Sequence, residues 1–176
     1  MNVRIVKVDE LQFLICLKNA IWASNFCSFK KWLSGDKLVF TVDKKIAATA
    51  IVIGDYYYND EFLWDNGLFP HRIRISFDYV VCKAERKPVN DVKELLINSW
   101  GKSYGWGIQN QTPLNLQDGN KLLGNLIKDN ELGYFVDNVD FLIALAKKER
   151  LEEEALISIG KIKANERRYK SSIIEL

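Results

Sequence analysis

The sequence predicts an α+β fold, a mostly antiparallel sheet with flanking helices and a C-terminal helical segment. Three observations predict it. Residues 37–42 (KLVFTV) and 45–55 are β-branched runs separated only by Asp43-Lys44, the pattern of a hairpin. Residues 72–81 (RIRISFDYVV) alternate basic or polar side chains with Ile73, Ile75, Phe77 and Tyr79, as a half-exposed strand does, which shows Arg72 and Arg74 on one face. After Pro88 the apolar residues recur at helical spacing instead.

Taken in order, residues 11–17 (LQFLICL) form a short apolar run ended by Lys18-Asn19 and read as a buried strand. Ser28 can cap a short helix through Leu33 that stops at Ser34-Gly35. The hairpin follows, then a long aromatic and acidic loop over residues 56–69, then the alternating strand. Residues 89–96 place Val92, Leu95 and Leu96 on one helical side, and residues 116–127 do the same with Leu122, Leu123, Leu126 and Ile127. Between them residues 100–111 read as a polar, glycine-containing, aromatic loop. From Val139 onward the period is helical and the charge density high, with a break at Gly160. The boundaries expected are a globular domain over residues 1–136 and a charged helical extension or linker over residues 137–176.

Charge and composition narrow the chemistry. The chain of 176 residues carries 25 Lys and Arg against 23 Asp and Glu, a net +2. Residues 147–176 hold eight basic and six acidic side chains, which leaves 17 of each before them. The globular part is therefore neutral, which excludes a strongly basic tail-type nucleic-acid binder. No run of eighteen apolar residues and no signal sequence is present, so an intracellular, cytoplasmic protein is expected. Cys16, Cys27 and Cys82 have neither disulfide nor metal spacing and read as reduced core thiols. His71 is the single histidine, which removes most acid-base and metal constellations. Gly101, Gly105 and Gly107 lack the spacing of a phosphate-cradling loop. Asp78, Glu85 and Lys87 follow the order a metal-dependent nuclease uses, but read first as a charged loop after a strand, since Pro88 follows at once. No catalytic residue, metal or cofactor is expected.

The informative signal is aromatic. Trp22 and Trp64 lie in polar stretches, where an indole is either a core cap or a stacking surface. Around Trp22 stand Asn19, Ala23, Ser24 and Asn25, small and amide residues able to read a base edge between two indoles. In order along the chain come Ile21-Trp22-Ala23-Ser24, the turn Leu33-Ser34-Gly35-Asp36-Lys37 into a strand, an aromatic loop with Trp64, and Phe69-Pro70-His71-Arg72-Ile73. Over about residues 11–130 this order resembles the PUA-like superfamily, specifically the EVE and YTH modified-base readers. As read, the chain shortens to a turn the helix that YTH domains carry before the first cage tryptophan.

That resemblance implies a curved sheet or small barrel and a non-catalytic module that flips a methylated base, N6-methyladenine, into an aromatic pocket. Trp22 and Trp64 would stack on the two faces, with Phe62, Tyr56, Tyr57, Tyr58 or Leu68 as the third wall. Asn19, Ala23, Ser24 and Asn25 would meet the base edge, Asn19 being equally an ordinary strand-end turn. Lys18, Lys30, Lys31, Arg72, Arg74 and Lys102, with Gln109 and Asn110, are the candidate phosphate contacts, although each cation taken singly is more often a solvated surface charge. The chain layout resembles the recognition module of an McrB-like modification-dependent restriction system. This puts DNA ahead of RNA as the partner and adds an NTPase motor and nuclease in a longer protein. The alternatives are an RNA N6-methyladenine reader, a metal-dependent nuclease, and a protein-interaction module.

Overall fold

A computed structural model describes residues 1–27, 29–126 and 130–163. The chain opens with β1 (Val3–Val8), α1 (Glu10–Asn19) and β2 (Ile21–Ser24). The sheet continues with β3 (Lys37–Val42), β4 (Lys45–Tyr58), β5 (His71–Val80) and the two-residue β6 (Lys87–Pro88). Five helices follow: α2 (Lys93–Trp100), α3 (Gly105–Gln109), α4 (Leu116–Gly124), α5 (Leu132–Asp137) and α6 (Val139–Ser158). The strand order is β1-β3-β4-β5-β2, with β6 beside β4. All pairs are antiparallel except β1 with β3. The expected α+β class, a curled and mostly antiparallel sheet with flanking helices, is the fold observed.

The 11–17 run is helical, not a strand. Asp9 caps α1: its Oδ1 accepts the Gln12 N–H at 2.7 Å, and Gln12 Oε1 accepts the Asp9 N–H at 3.1 Å. Ala20, in the left-handed region at φ 54°, closes the other end. Every residue from Glu10 to Leu17 is buried, so the helix has no polar face and its apolar run carries no helical period. The helix that the sequence reading shortened to a turn is therefore present, immediately before Trp22.

The hairpin is as expected. Asp43 and Lys44 take φ values of 50° and 61°, the two positive values that a tight two-residue turn needs, and Val42 pairs with Lys45. Strand β4 then runs through Tyr58, three residues beyond Asp55, so the connecting loop is residues 59–70. Between Val52, opposite Ile75, and Tyr56, opposite Ile73, the register slips. The extra residues bend the strand end and let it curl over the sheet. Residues 29–33 form successive turns rather than a helix, with Trp32 N–H on the Phe29 carbonyl at 3.0 Å; Ser28 lies outside the described residues.

Alternation along β1 and β3 divides the interior into two cores. Val6, Val8, Leu38 and Phe40 face one side with α1, α5 and α6, while Val3, Ile5 and Val39 face the other with α2 and α4. Helix α3 replaces part of the expected 100–111 loop. Gly107 sits directly on the Trp100 indole, where any side chain would collide, so this turn can coil tightly under the tryptophan. Helix α4 stops at Gly124, and Ile127 lies outside the described residues. Helix α6 packs its Leu142, Ile143 and Ala146 side on the first core and is tied to α1 by Lys18–Asp140 at 2.7 Å. It ends before Gly160, at φ 75°, as the sequence reading places the break; residues 164–176 lie outside the described residues. Cys16 is buried and Cys27 exposed, so the reading of three core thiols holds for the first and fails for the second. Among the described residues no helix is long and apolar enough to cross a membrane.

Candidate nucleic-acid interface

Trp22 stands on β2, an edge strand held by β5 through Trp22 opposite Ile73 and Ala23 opposite Arg72. Its indole is 1% exposed. It lies nearly parallel to Trp32, with centroids 6.4 Å apart at 24°, and edge-on to Phe40 at 5.9 Å. Trp32 in turn packs on Phe29 at 5.3 Å, Phe29 on Tyr56 at 5.9 Å, and Tyr56 stacks on His71, whose Nδ1 its hydroxyl meets. A continuous aromatic wall thus runs from the core to the end of the sheet.

Two ionic contacts hold this wall. Arg4 lays its guanidinium 5.2 Å from the Trp32 ring and pairs with buried Asp36 at 2.7 Å. Asp36 also accepts the N–H groups of Asn2 and Leu33, at 3.0 and 3.1 Å. Burial alone would raise its carboxyl pKa, but the Asn2, Arg4 and Leu33 hydrogen bonds outweigh burial and hold it below the ordinary carboxylate value. The Gly35-Asp36 turn is therefore a clamp that fixes Trp32 beside Trp22.

Trp64 belongs to the 59–70 loop and is wholly buried. It bridges to Gly67, where a Cβ would come within 2.8 Å of the Phe69 ring, and packs edge-on against Phe69 at 5.3 Å. Arg72 lies 5.4 Å from the Trp64 ring. Its guanidinium donates to the carbonyls of Phe69 at 3.1 Å, Leu68 at 3.3 Å and Glu61. Asn25, just past β2, accepts the Phe69 N–H at 3.1 Å. Asp65 faces Lys147 and Arg150 of α6 at 3.8 and 3.6 Å. The loop is thus pinned from β2, β5 and α6. Both Trp22 Nε1 and Trp64 Nε1 are buried with no hydrogen-bond partner among the described residues.

The other sequence candidates scatter. Asn19 donates from its Nδ2 to the Ile15 carbonyl at 2.9 Å inside the last turn of α1. Ala23 and Ser24 are buried, and Ser24 Oγ accepts the Phe26 N–H at 3.0 Å. Phe62, Tyr58, Phe26 and Leu68 are exposed at the loop end of the sheet. Lys30 and Lys31 are exposed near the aromatic wall, Lys30 with its ammonium 5.0 Å from the Tyr56 ring. Arg74 is exposed against Tyr57, whereas Arg72, 1% exposed, has its donors turned to the loop carbonyls and away from solvent. Lys18 is engaged by Asp140. Lys102, Gln109 and Asn110 are exposed, but they lie on the α2–α3 segment, which covers the second core. Sequence reasoning missed Phe29, Trp32, Arg4 and Asp36; the signal available was the Phe29–Trp32 spacing of three beside the Gly35-Asp36 turn.

The nuclease-like trio does not assemble. Asp78 is engaged by Lys37 and Thr49, and Lys87 donates to the Asn125 carbonyl at 3.1 Å. Glu85 is exposed in a short 3-10 turn, and no cluster able to hold a metal occurs among the described residues.

No protein-family model matches the chain, and no curated protein sequence does. Solved structures do match in fold. The YTH domain of Zygosaccharomyces rouxii MRB1 protein, in complex with N6-methyladenosine RNA, superposes with a TM-score of 0.56 at 14% identity, over 71% of this chain and 86% of that one. The Pho92 YTH domain, in complex with m6A, gives 0.54 at 16% identity over 73% and 85%. The Toxoplasma CPSF4-YTH domain in apo form gives 0.55 at 9% identity over 71% and 85%. The chain has a YTH-like fold.

Proposed function

We propose that this protein is a non-catalytic reader of single-stranded RNA carrying N6-methyladenine. The base is taken at the sheet end where β2, β4, β5 and the 59–70 loop meet. One observation carries the reading: two indoles at that end are sealed by packing, yet each leaves its Nε1–H without an acceptor among the described residues. A buried donor left unpaired costs about 1–3 kcal/mol, and a tryptophan that only fills a core usually finds a partner. A flipped adenine meets the two rings differently, stacking its face on one and turning a ring-nitrogen acceptor toward the in-plane Nε1–H of the other.

The pins on the loop define how the base enters. The Asn25, Asp65 and Arg72 contacts release, the 59–70 loop swings, and Trp64 re-closes on the base while Trp22, backed by Trp32 and Arg4, stays fixed. The methyl group favours a dry aromatic site by about 0.8 kcal/mol for its buried carbon, and it removes a polar N–H that would otherwise need a partner. Exposed Lys30, Lys31 and Arg74 contact the flanking phosphates, and exposed Tyr58, Phe62 and Phe26 offer stacking for neighbouring bases.

RNA takes precedence over the DNA expected from chain layout because two of the structural neighbours are complexes with N6-methyladenosine RNA or m6A. The layout argument also loses a ground, since α6, read as a connector, is docked on α1. No comparison supports a motor or nuclease partner. The test is a calorimetric series with matched RNA and DNA nonamers, methylated and unmethylated. Methylated RNA is expected to bind roughly tenfold or more tighter than its unmethylated twin, with Trp22→Ala and Trp64→Ala each losing that preference. Equal affinity for the twins sinks the reading, and a DNA preference restores the earlier expectation.

A further inference from the structure

Helix α6 has two apolar faces where docking on its own core needs one. Val139, Leu142, Ile143 and Ala146 turn inward. The outward side carries Phe141, Leu145, Lys148, Glu152 and Ala155, continued by Ile159 at the C-cap, at alternating steps of four and three residues, and all six are exposed. Phe141 and Ile159 are 64% and 68% exposed and Leu145 41%, an unusual cost on the solvent side of a helix. Steps of four and three are the seam period of paired helices. Neither Lys148 nor Glu152 is in an ion pair among the described residues.

We propose that this outer face pairs two copies of the chain as antiparallel helices about a two-fold axis beside residue 150. The seam is self-complementary in that one arrangement. Counting equally outward from residue 150, Phe141 meets Ile159 of the second copy, Leu145 meets Ala155, and Lys148 meets Glu152, each contact occurring twice. Large residues face smaller ones at the ends, and opposite charges face each other near the axis. Parallel pairing in register would instead set Lys148 on Lys148 and Glu152 on Glu152, so the same two residues select against it. The seam is about 27 Å long, at 1.5 Å per residue. A single helix pair of this size lies at the weak end of specific interfaces, so the dimer dissociates at about micromolar concentration or above.

The test is sedimentation velocity on the full chain from about 1 to about 200 μM. The native chain is expected to pass from monomer to dimer across that range. Lys148→Glu and Glu152→Lys each place like charges at both central contacts and should weaken association about tenfold or more. An equimolar mixture of the two single variants recovers opposite charges at every central contact and should dimerise like the native chain, as should the double variant. Phe141→Glu should be monomeric with an unchanged circular dichroism spectrum. A monomer at every concentration, a dimer indifferent to the charge changes, or a mixture no better than its components would each overturn the proposal.

Discussion

Asp9 shows how one residue serves the fold at a cost. Its Oδ1 caps α1, while its Oδ2 is buried with no hydrogen-bond partner among the described residues. Burial raises its pKa from 3.8 to about 7, against the opposing pull of the Gln12 N–H and of Arg150 on α6, with neighbouring Glu10 adding to the rise. Because the folded state holds this proton more tightly than the unfolded chain, its contribution to stability is full below about pH 4 and is lost as the pH rises through 7. Each unit of separation is worth about 1.4 kcal/mol, so on the order of a few kcal/mol is at stake. Asp9→Asn keeps the cap oxygen and removes the ionisation. Its melting temperature relative to the native chain should therefore rise between pH 5 and pH 8; a constant difference across that range would show that Asp9 is already ionised in the fold at pH 5, its pKa not raised. Arg72 makes the opposite point. In sequence it is indistinguishable from exposed Arg74 two positions on, and only the loop that closes over it decides that it binds carbonyls and not phosphate.

Among the elements, the 59–70 loop carries the site, and Arg72 is its main pin. Arg72→Ala strips donors from three loop carbonyls and the cation from the Trp64 face, a loss on the order of 2–4 kcal/mol. Hydrogen exchange should then accelerate over residues 59–70 and leave α2 and α4 protected; an even loss across the molecule would mean that Arg72 supports the core and not the loop. Which elements were legible follows from their periods. The hairpin could be read because two β-branched runs flank the Asp43-Lys44 turn, and β5 because it has a polar side to set against an apolar one. Helix α1 could not, because it is buried all round, and the one sign of it was the local Asp9–Gln12 capping pair. The indole at position 22 was legible as a site candidate, while its neighbour Trp32 was not, because the contact depends on the distant Arg4–Asp36 clamp.

At the scale of the molecule, residues 1–146 carry 17 charges of each sign, so long-range attraction contributes little to binding. With exposed Lys30, Lys31 and Arg74 as the phosphate contacts, log K should fall against log salt with a slope of about 2, at roughly 0.7 per phosphate for a single strand. A slope of about 5 or more would demand a basic surface that the fold does not offer. Stacking must then supply the affinity, and the central claim rests on Trp22 and Trp64. The most direct measurement is nuclear magnetic resonance of the five indole N–H groups, assigned by single Trp→Phe variants, during titration with a methylated RNA nonamer. The resonances of Trp22 and Trp64 should shift as the base packs against them, while those of Trp100, in the other core, and of exposed Trp106 beside it stay in place. Shifts confined to Trp100 and Trp106, or no shift in the presence of bound RNA, would contradict the account.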